Sequence, residues 1–375
     1  IIMEKSYIEN HTIFETVIGS HAYGTHNEDS DYDKAGVVIP GIEYFYSNNR
    51  FDQYQDYPGE DKTMYNIIKA IKLISENNPN MMDLLAVPES CHIIVTRYWE
   101  KVIENKDLFI SKKSKFTFSG YAISQLNRIK THRSYLLNPP KAKPERTDFG
   151  LPEFPIVETA QLKALINVAS LYEYIEEEKK ETFVNDLDTI YAEQVIPLFA
   201  KNLKEDRKTI ALEFLQTGLQ NQLNTFLALG NNSYIKEEYR EIAEKELQYT
   251  NALKDWNRYQ EWKKSRNKKR APLEEKFGYD TKHAMHLVRL LRMGKEILTT
   301  GKIHVDRRNI DAEELIAIRN GLWPYEQIEE YASNFEVELD TLYKESTLQN
   351  APDINKIHKL TIEIIDDYHT NEGTN

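Results

Sequence analysis

Two short, β-rich apolar runs, FETVIGS (14–20) and DKAGVVIP (33–40), flank a polar loop near the start of the chain. Their length and composition, with closure by Pro40 and Gly41, predict two strands. The strongest constraint lies where the runs meet the loop. Gly19-Ser20 leaves the first, and Asp31-Tyr32-Asp33 leads into the second. In an extended segment, side chains at i and i+2 share a face, so Asp31 and Asp33 stand side by side and Tyr32 turns away. Adjacent carboxylates repel unless a cation lies between them, and a hard divalent ion such as Mg²⁺ or Mn²⁺ suits oxygen ligands. With a third carboxylate they can hold two ions about 4 Å apart, an arrangement that activates an attacking hydroxyl and stabilises departing pyrophosphate. Gly19 lets backbone approach a phosphate closely, and the following N–H groups and the Ser20 hydroxyl can bind phosphate oxygens. Taken alone, the acidic stretch also reads as an ordinary surface turn. The Gly-Ser pair and the flanking strands favour the site.

Downstream, residues 62–77 place Ile67, Ile68, Ile71 and Ile74 at helical spacing. Helices are also expected over 98–109 and 115–137, the latter ending at Asn138–Pro140. A Pro-rich, charged loop covers 141–156. Helical periodicity then runs from 157 to 264, with a break at 229–233, and resumes over 280–300 and around Pro324 over 311–345. The expected fold class is α+β: a small head over 1–145, with a mixed sheet and flanking helices, then a larger, mostly α-helical body over 146–375. That body includes an insert at 157–250 and a basic segment at 254–295.

The net charge of −12 argues against a protein that coats nucleic acid uniformly, but the charge is segregated. Residues 111–146 hold nine Lys/Arg against Glu145, and residues 254–270 hold eight against Asp255 and Glu261. Such clustering points to a polyanion site within an acidic chain. Cys91 is the sole cysteine, which excludes an intrachain disulfide or thiolate metal cluster. No apolar run reaches membrane-spanning length, and the opening IIMEKSYIEN lacks the apolar core of a signal peptide. A cytoplasmic location without membrane contact is therefore expected.

The stretch GSHAYGTHNEDSDYDKAGV resembles the Gly-Ser…[Asp/Glu]-x-[Asp/Glu] signature of polymerase-β-type nucleotidyltransferases. The resemblance implies a metal pair on Asp31 and Asp33 and phosphate binding at Gly19 and Ser20. It also implies a third carboxylate on a later strand, yet no apolar-Asp-apolar strand is legible. Asp61 is the choice, because it lies just before the expected helix; Glu60 and Asp56 are rivals, and a helix N-cap is the structural alternative for Asp61. Further blocks, ENNPNMMDLLAVPE, FSGYAISQLNRIKTH, EEKFGYDTKHAMHLVRLLRMGKEIL and IRNGLWPYE, resemble a narrower RNA-repair-pathway polymerase-β family associated with RNA ligases. That resemblance implies transfer of a nucleoside monophosphate from an NTP to an RNA 3′-hydroxyl, in tRNA or RNA end repair, with a functional link to an RNA ligase. Transfer to a protein or small-molecule hydroxyl, or a non-catalytic RNA-binding module, are the alternatives.

Lys282, His286, Arg289 and Arg292 recur at helical spacing opposite Ala284, Leu287, Val288, Leu291 and Leu298. They are candidates for clamping triphosphate or RNA phosphates; a solvated, salt-bridged face is the alternative. Asp280 or Thr281 can cap this helix. Tyr121, Gln125, Arg128, His132 and Tyr135 share a second polar face. Arg128, His132 and Arg133, with Lys263, Lys264 and Arg266 of the basic run, are the candidate RNA contacts. Trp256, Tyr259 and Trp262 interleave with that run either as base-stacking rings or as helix anchors.

Overall fold

A computed structural model describes residues 5–28, 30–47, 51–154, 176–179, 237–268 and 270–371. It divides into two compact units, residues 1–138 with 267–375, and residues 139–266. Most of the insert expected at 157–250 lies outside the described residues.

The first unit opens with α1 (Lys5–Asn10), β1 (Thr12–Val17), α2 (Gly19–Tyr23), β2 (Lys34–Val38), α3 (Glu43–Tyr46), β3 (Gln53–Tyr54) and β4 (Lys62–Asn66). Then come α4 (Ile67–Ser75), α5 (Pro79–Met82), β5 (His92–Val95), α6 (Arg97–Glu104) and α7 (Ser114–Leu137). In the second unit lies α8 (Glu237–Ser265). The chain returns to the first unit with α9 (Ala271–Phe277), α10 (Thr281–Thr300), α11 (Ala312–Arg319), α12 (Tyr325–Glu345) and α13 (Ile354–Asn371). The architecture is α+β: a mixed five-stranded sheet with flanking helices, followed by a mostly helical remainder.

The sheet order is β3-β4-β2-β1-β5. β2 and β4 run parallel, with Lys34 opposite Lys62; the other pairings are antiparallel. β1 lies inside the sheet, between β2 and β5, and is buried along nearly its whole length, as expected for a strand covered on both faces. Phe14 stacks on Trp99 in the main core, with ring centroids 4.8 Å apart. On β1 the buried Glu15 accepts an ion pair from Lys62 of β4 at 2.8 Å, and that ammonium also lies 4.7 Å from the Tyr57 ring centroid.

Residues 62–66 are a strand rather than the first turns of a helix. Their burial alternates along KTMYN, the period of a half-covered strand. A lysine at an inward position masks that alternation in the sequence. The helix begins one residue later, where the Asn66 side chain accepts the Ile68 N–H at 2.9 Å.

The C-terminal helices cluster with residues 1–138. Arg307 donates its backbone N–H to the Tyr23 carbonyl at 3.0 Å; the Arg308 side chain donates to the His21 carbonyl and the Arg319 side chain to the Thr25 carbonyl, both at 3.1 Å. These bonds join positions nearly 300 residues apart, which helical periodicity cannot report. α10 makes its broadest packing against α7. Asp280 caps α10, accepting the His283 N–H at 3.1 Å.

In the second unit, Arg146 pairs through both terminal nitrogens with the buried Glu246 of α8. Trp256, Tyr259 and Trp262 form a half-buried aromatic stripe along α8, with successive ring centroids 6.2 and 5.9 Å apart.

Candidate active site

The site is built where β1 ends and β2 and β4 begin. Ile18 is extended, and Gly19 then adopts φ +67° to start α2. A Cβ at Gly19 would stand 2.7 Å from Asp33 Oδ2, so the carboxylate lies directly against this glycine. Both the left-handed conformation and the close approach exclude a side chain there.

Asp31 and Asp33 lie in the segment leading into β2, which itself starts at Lys34. The Asp33 carbonyl accepts the Ile18 N–H at 2.9 Å, and Lys34 N–H donates to the Asp61 carbonyl at 2.8 Å. Because β2 and β4 are parallel and Lys34 faces Lys62, the residues just before each strand are neighbours. Asp33 and Asp61 are those residues. Asp61 does not cap a helix; that role falls to Asn66. Of its rivals, Glu60 pairs with Lys34 at 2.9 Å, and the Asp56 carbonyl accepts the Tyr54 hydroxyl. Tyr32 turns aside onto His21, with centroids 4.1 Å apart.

The electrostatics report the crowding. Burial pushes the Asp33 carboxyl up, and Asp61 pushes it further by its charge and by hydrogen bonding, with a smaller push from Asp31; Lys282 opposes them. Such a cluster is stabilised by whatever cation shares its oxygens. The donor set is oxygen only, which fits a hard divalent ion.

The cleft beside it is lined by Ser20, Asp31 and Asp33 together with Arg270, Lys282 and Arg319, and also by Glu274 and Asp280. Burial lowers the Lys282 pKa, as do Arg270 and Arg319, while Asp33 and Asp31 raise it. Cations thus line the same cleft as the carboxylates, as a metal-bound polyphosphate requires. Arg270 and Arg319 are cleft residues that the sequence marks only as members of longer stretches. Arg270 ends the basic run, and Arg319 stands in the IRNGLWPYE block, but only folding brings either to Asp33.

The rest of the α10 cationic face does not enter the cleft. His286 is held well below its ordinary pKa by burial and then by Arg289, Lys282 and other cations. Arg289 is buried with its guanidinium 3.8 Å from the Tyr23 ring centroid, while Tyr23 donates a short hydrogen bond to the buried Asp83. Arg292 donates to Asp311 at 2.9 Å, Glu314 at 2.7 Å and Tyr331 at 3.1 Å. These two arginines are engaged by architecture. On α7, Arg128 is exposed, whereas Arg133 donates to the Gly278 carbonyl at 3.0 Å and stacks over Tyr325. His132 lies by Asp280. Lys263 and Lys264 are exposed near the end of α8, and Arg266 lies over Trp262.

Among the described residues, no helix is long and apolar enough to cross a membrane. No curated protein and no solved structure matches the chain. A family model does match, over the segment that holds the sheet, α2, the three aspartates and α7. Residues 3–138 match the model of the family described as RlaP, RNA repair pathway DNA polymerase beta family, which the sequence resembles.

Proposed function

We propose that this protein is a metal-dependent nucleotidyltransferase that moves a nucleoside monophosphate from an NTP to an RNA 3′-hydroxyl, in tRNA or RNA end repair. The observation that carries the reading is the convergence of Asp31, Asp33 and Asp61 opposite Lys282. The family match over residues 3–138 supports nucleotidyl transfer in RNA repair.

Asp31, Asp33 and Asp61 would hold Mg²⁺ or Mn²⁺. Such ions, when bound, would supply positive charge to the triphosphate and would lower the pKa of the attacking hydroxyl. The chain's own groups do the rest. Gly19 leaves room for the carboxylate of Asp33, and the backbone that follows, with the Ser20 hydroxyl, holds the outgoing phosphates. Lys282, Arg270 and Arg319 neutralise charge that accumulates on them. As the 3′-oxygen bonds to the α-phosphorus, the bond to the β-phosphate bridge oxygen breaks and pyrophosphate departs. Asp61, at the open edge of the cluster, helps take the hydroxyl proton. The exposed Arg128, Lys263 and Lys264 supply phosphate contacts for the acceptor RNA.

The test is a gel assay with Mg²⁺, each labelled NTP in turn, and a pool of intact and 3′-truncated tRNAs. Extension that disappears in Asp31→Ala/Asp33→Ala is expected. Label on a protein or small molecule instead would reassign the acceptor. No label on any acceptor would leave an RNA-binding module.

A further inference from the structure

Beside the cleft, three metal-ligating side chains meet from two helices outside the aspartate cluster. His132 comes from α7, Asp280 caps α10, and His283 stands on the first turn of α10. One ligand atom from each lies within 4.8 Å of the others. Asp280 Oδ2 is 3.7 Å from His132 Nδ1 and 3.5 Å from His283 Nε2. Both separations exceed those of a direct charge-assisted hydrogen bond, about 2.8 Å. Ligands about 2.0–2.1 Å from a tetrahedral zinc stand roughly 3.3–3.5 Å apart, so the His283 separation matches and the His132 ring needs only a small inward shift.

The remaining atoms are arranged for ligation. His283 Nδ1 is 2.6 Å from Gln125 Oε1. That oxygen only accepts, so Nδ1 carries the proton and Nε2 keeps its lone pair directed at Asp280. Asp280 uses Oδ1 to accept the His283 backbone N–H, which leaves Oδ2 facing the two rings. Arg128 and Arg270 lie close enough to affect His283. Their charge works against an ion held by electrostatics alone, such as Mg²⁺. Two imidazoles and one carboxylate instead suit a borderline metal that bonds nitrogen strongly.

We propose that His132, Asp280 and His283 form a zinc site that fastens the start of α10 to α7. Lys282 lies between two of the ligands in sequence and projects into the cleft. The site is thus a brace that positions the triphosphate-facing lysine. It is separate from the aspartate cluster in ligands, chemistry and metal preference.

The test uses full-length protein stripped with a chelator and titrated with Co²⁺ alone. One equivalent is expected to give the intense visible band of tetrahedral cobalt, which Zn²⁺ then displaces and excess Mg²⁺ does not. The band should vanish in His283→Ala and weaken in Asp280→Asn, a change that retains the helix cap. It should persist in Asp31→Asn/Asp33→Asn. Should His283→Ala fail to fold, Gln125→Ala tests the same geometry, with a loss of affinity on the order of 10- to 100-fold. Absence of the band, its survival in His283→Ala, unchanged affinity in Gln125→Ala, or its loss only with the aspartate pair overturns the proposal. None of these readouts depends on nucleotidyl transfer.

Discussion

The start and the middle of α10 carry the same kinds of residue and do opposite things. At its start, Lys282 sits in a cleft among the like charges of Arg270 and Arg319, facing carboxylates of another element. Two and three turns on, Arg289 is stacked over Tyr23 and Arg292 is engaged by two carboxylates and a tyrosine. A cation among its own kind is ready to receive an anion from outside. A cation buried against a ring, as Arg289 is, or bonded to carboxylates, as Arg292 is, holds protein to protein. The contrast separates binding from bracing better than residue type does.

The largest test of it lies at the acidic cluster. Asp33→Ala should lower transfer by about a thousandfold, equivalent to about 4 kcal/mol, with little change in the melting temperature; steady-state turnover beside a thermal melt measures both. Next comes the braced middle. Arg289→Ala leaves Asp83 buried without its cation and should cost about 3 kcal/mol in urea unfolding. An unchanged unfolding midpoint would erase the distinction between the two stretches. At the receiving end, Lys282→Ala should raise KM for the NTP about tenfold to a hundredfold, the loss of one charge-assisted phosphate contact, without destabilising the fold.

Acid titration sharpens the comparison further. Burial raises the Asp83 carboxyl from 3.8 to about 6, with Arg289 and the Tyr23 hydroxyl opposing. Between those values the folded protein holds a proton that the unfolded chain has released. Its contribution to stability is therefore full below about pH 4 and is lost as pH rises to about 6. Unfolding measured across that window should show a falling component that Asp83→Asn removes. The smallest effect concerns the metal-free aspartates. Asp33 is held up by burial and by Asp61, so Asp33→Asn should slightly raise the melting temperature of metal-free protein at neutral pH. A fall would mean that the cluster is not repulsive.

Much of the site was legible because its parts are local. Gly19, Ser20, Asp31 and Asp33 fall within one strand-loop-strand stretch, and their spacing alone suggests phosphate and metal. Asp61 was chosen for the wrong local reason. It precedes a strand, and what brings it to Asp33 is the parallel pairing of β2 with β4. Arg270 and Arg319 are marked only as members of a basic run and of the IRNGLWPYE block, which does not place them at Asp33. Conversely, Arg289 and Arg292 share a helical stripe with Lys282, and helical spacing does not reveal that Tyr23 and Asp311 await them.

The sequence by itself determined the strands around the Gly-Ser and Asp-x-Asp pair, the capped helix at 281–300, the α+β class and the family likeness. Each depends on residues a few positions apart, within reach of backbone geometry and side-chain period. Only the tertiary structure decided that residues 267–375 complete the head, that Asp61 joins the carboxylates, and that two histidines from separate helices share one oxygen of Asp280. Those outcomes depend on which distant surfaces exclude water together, and burial of that kind is a property of the packed chain rather than of any segment.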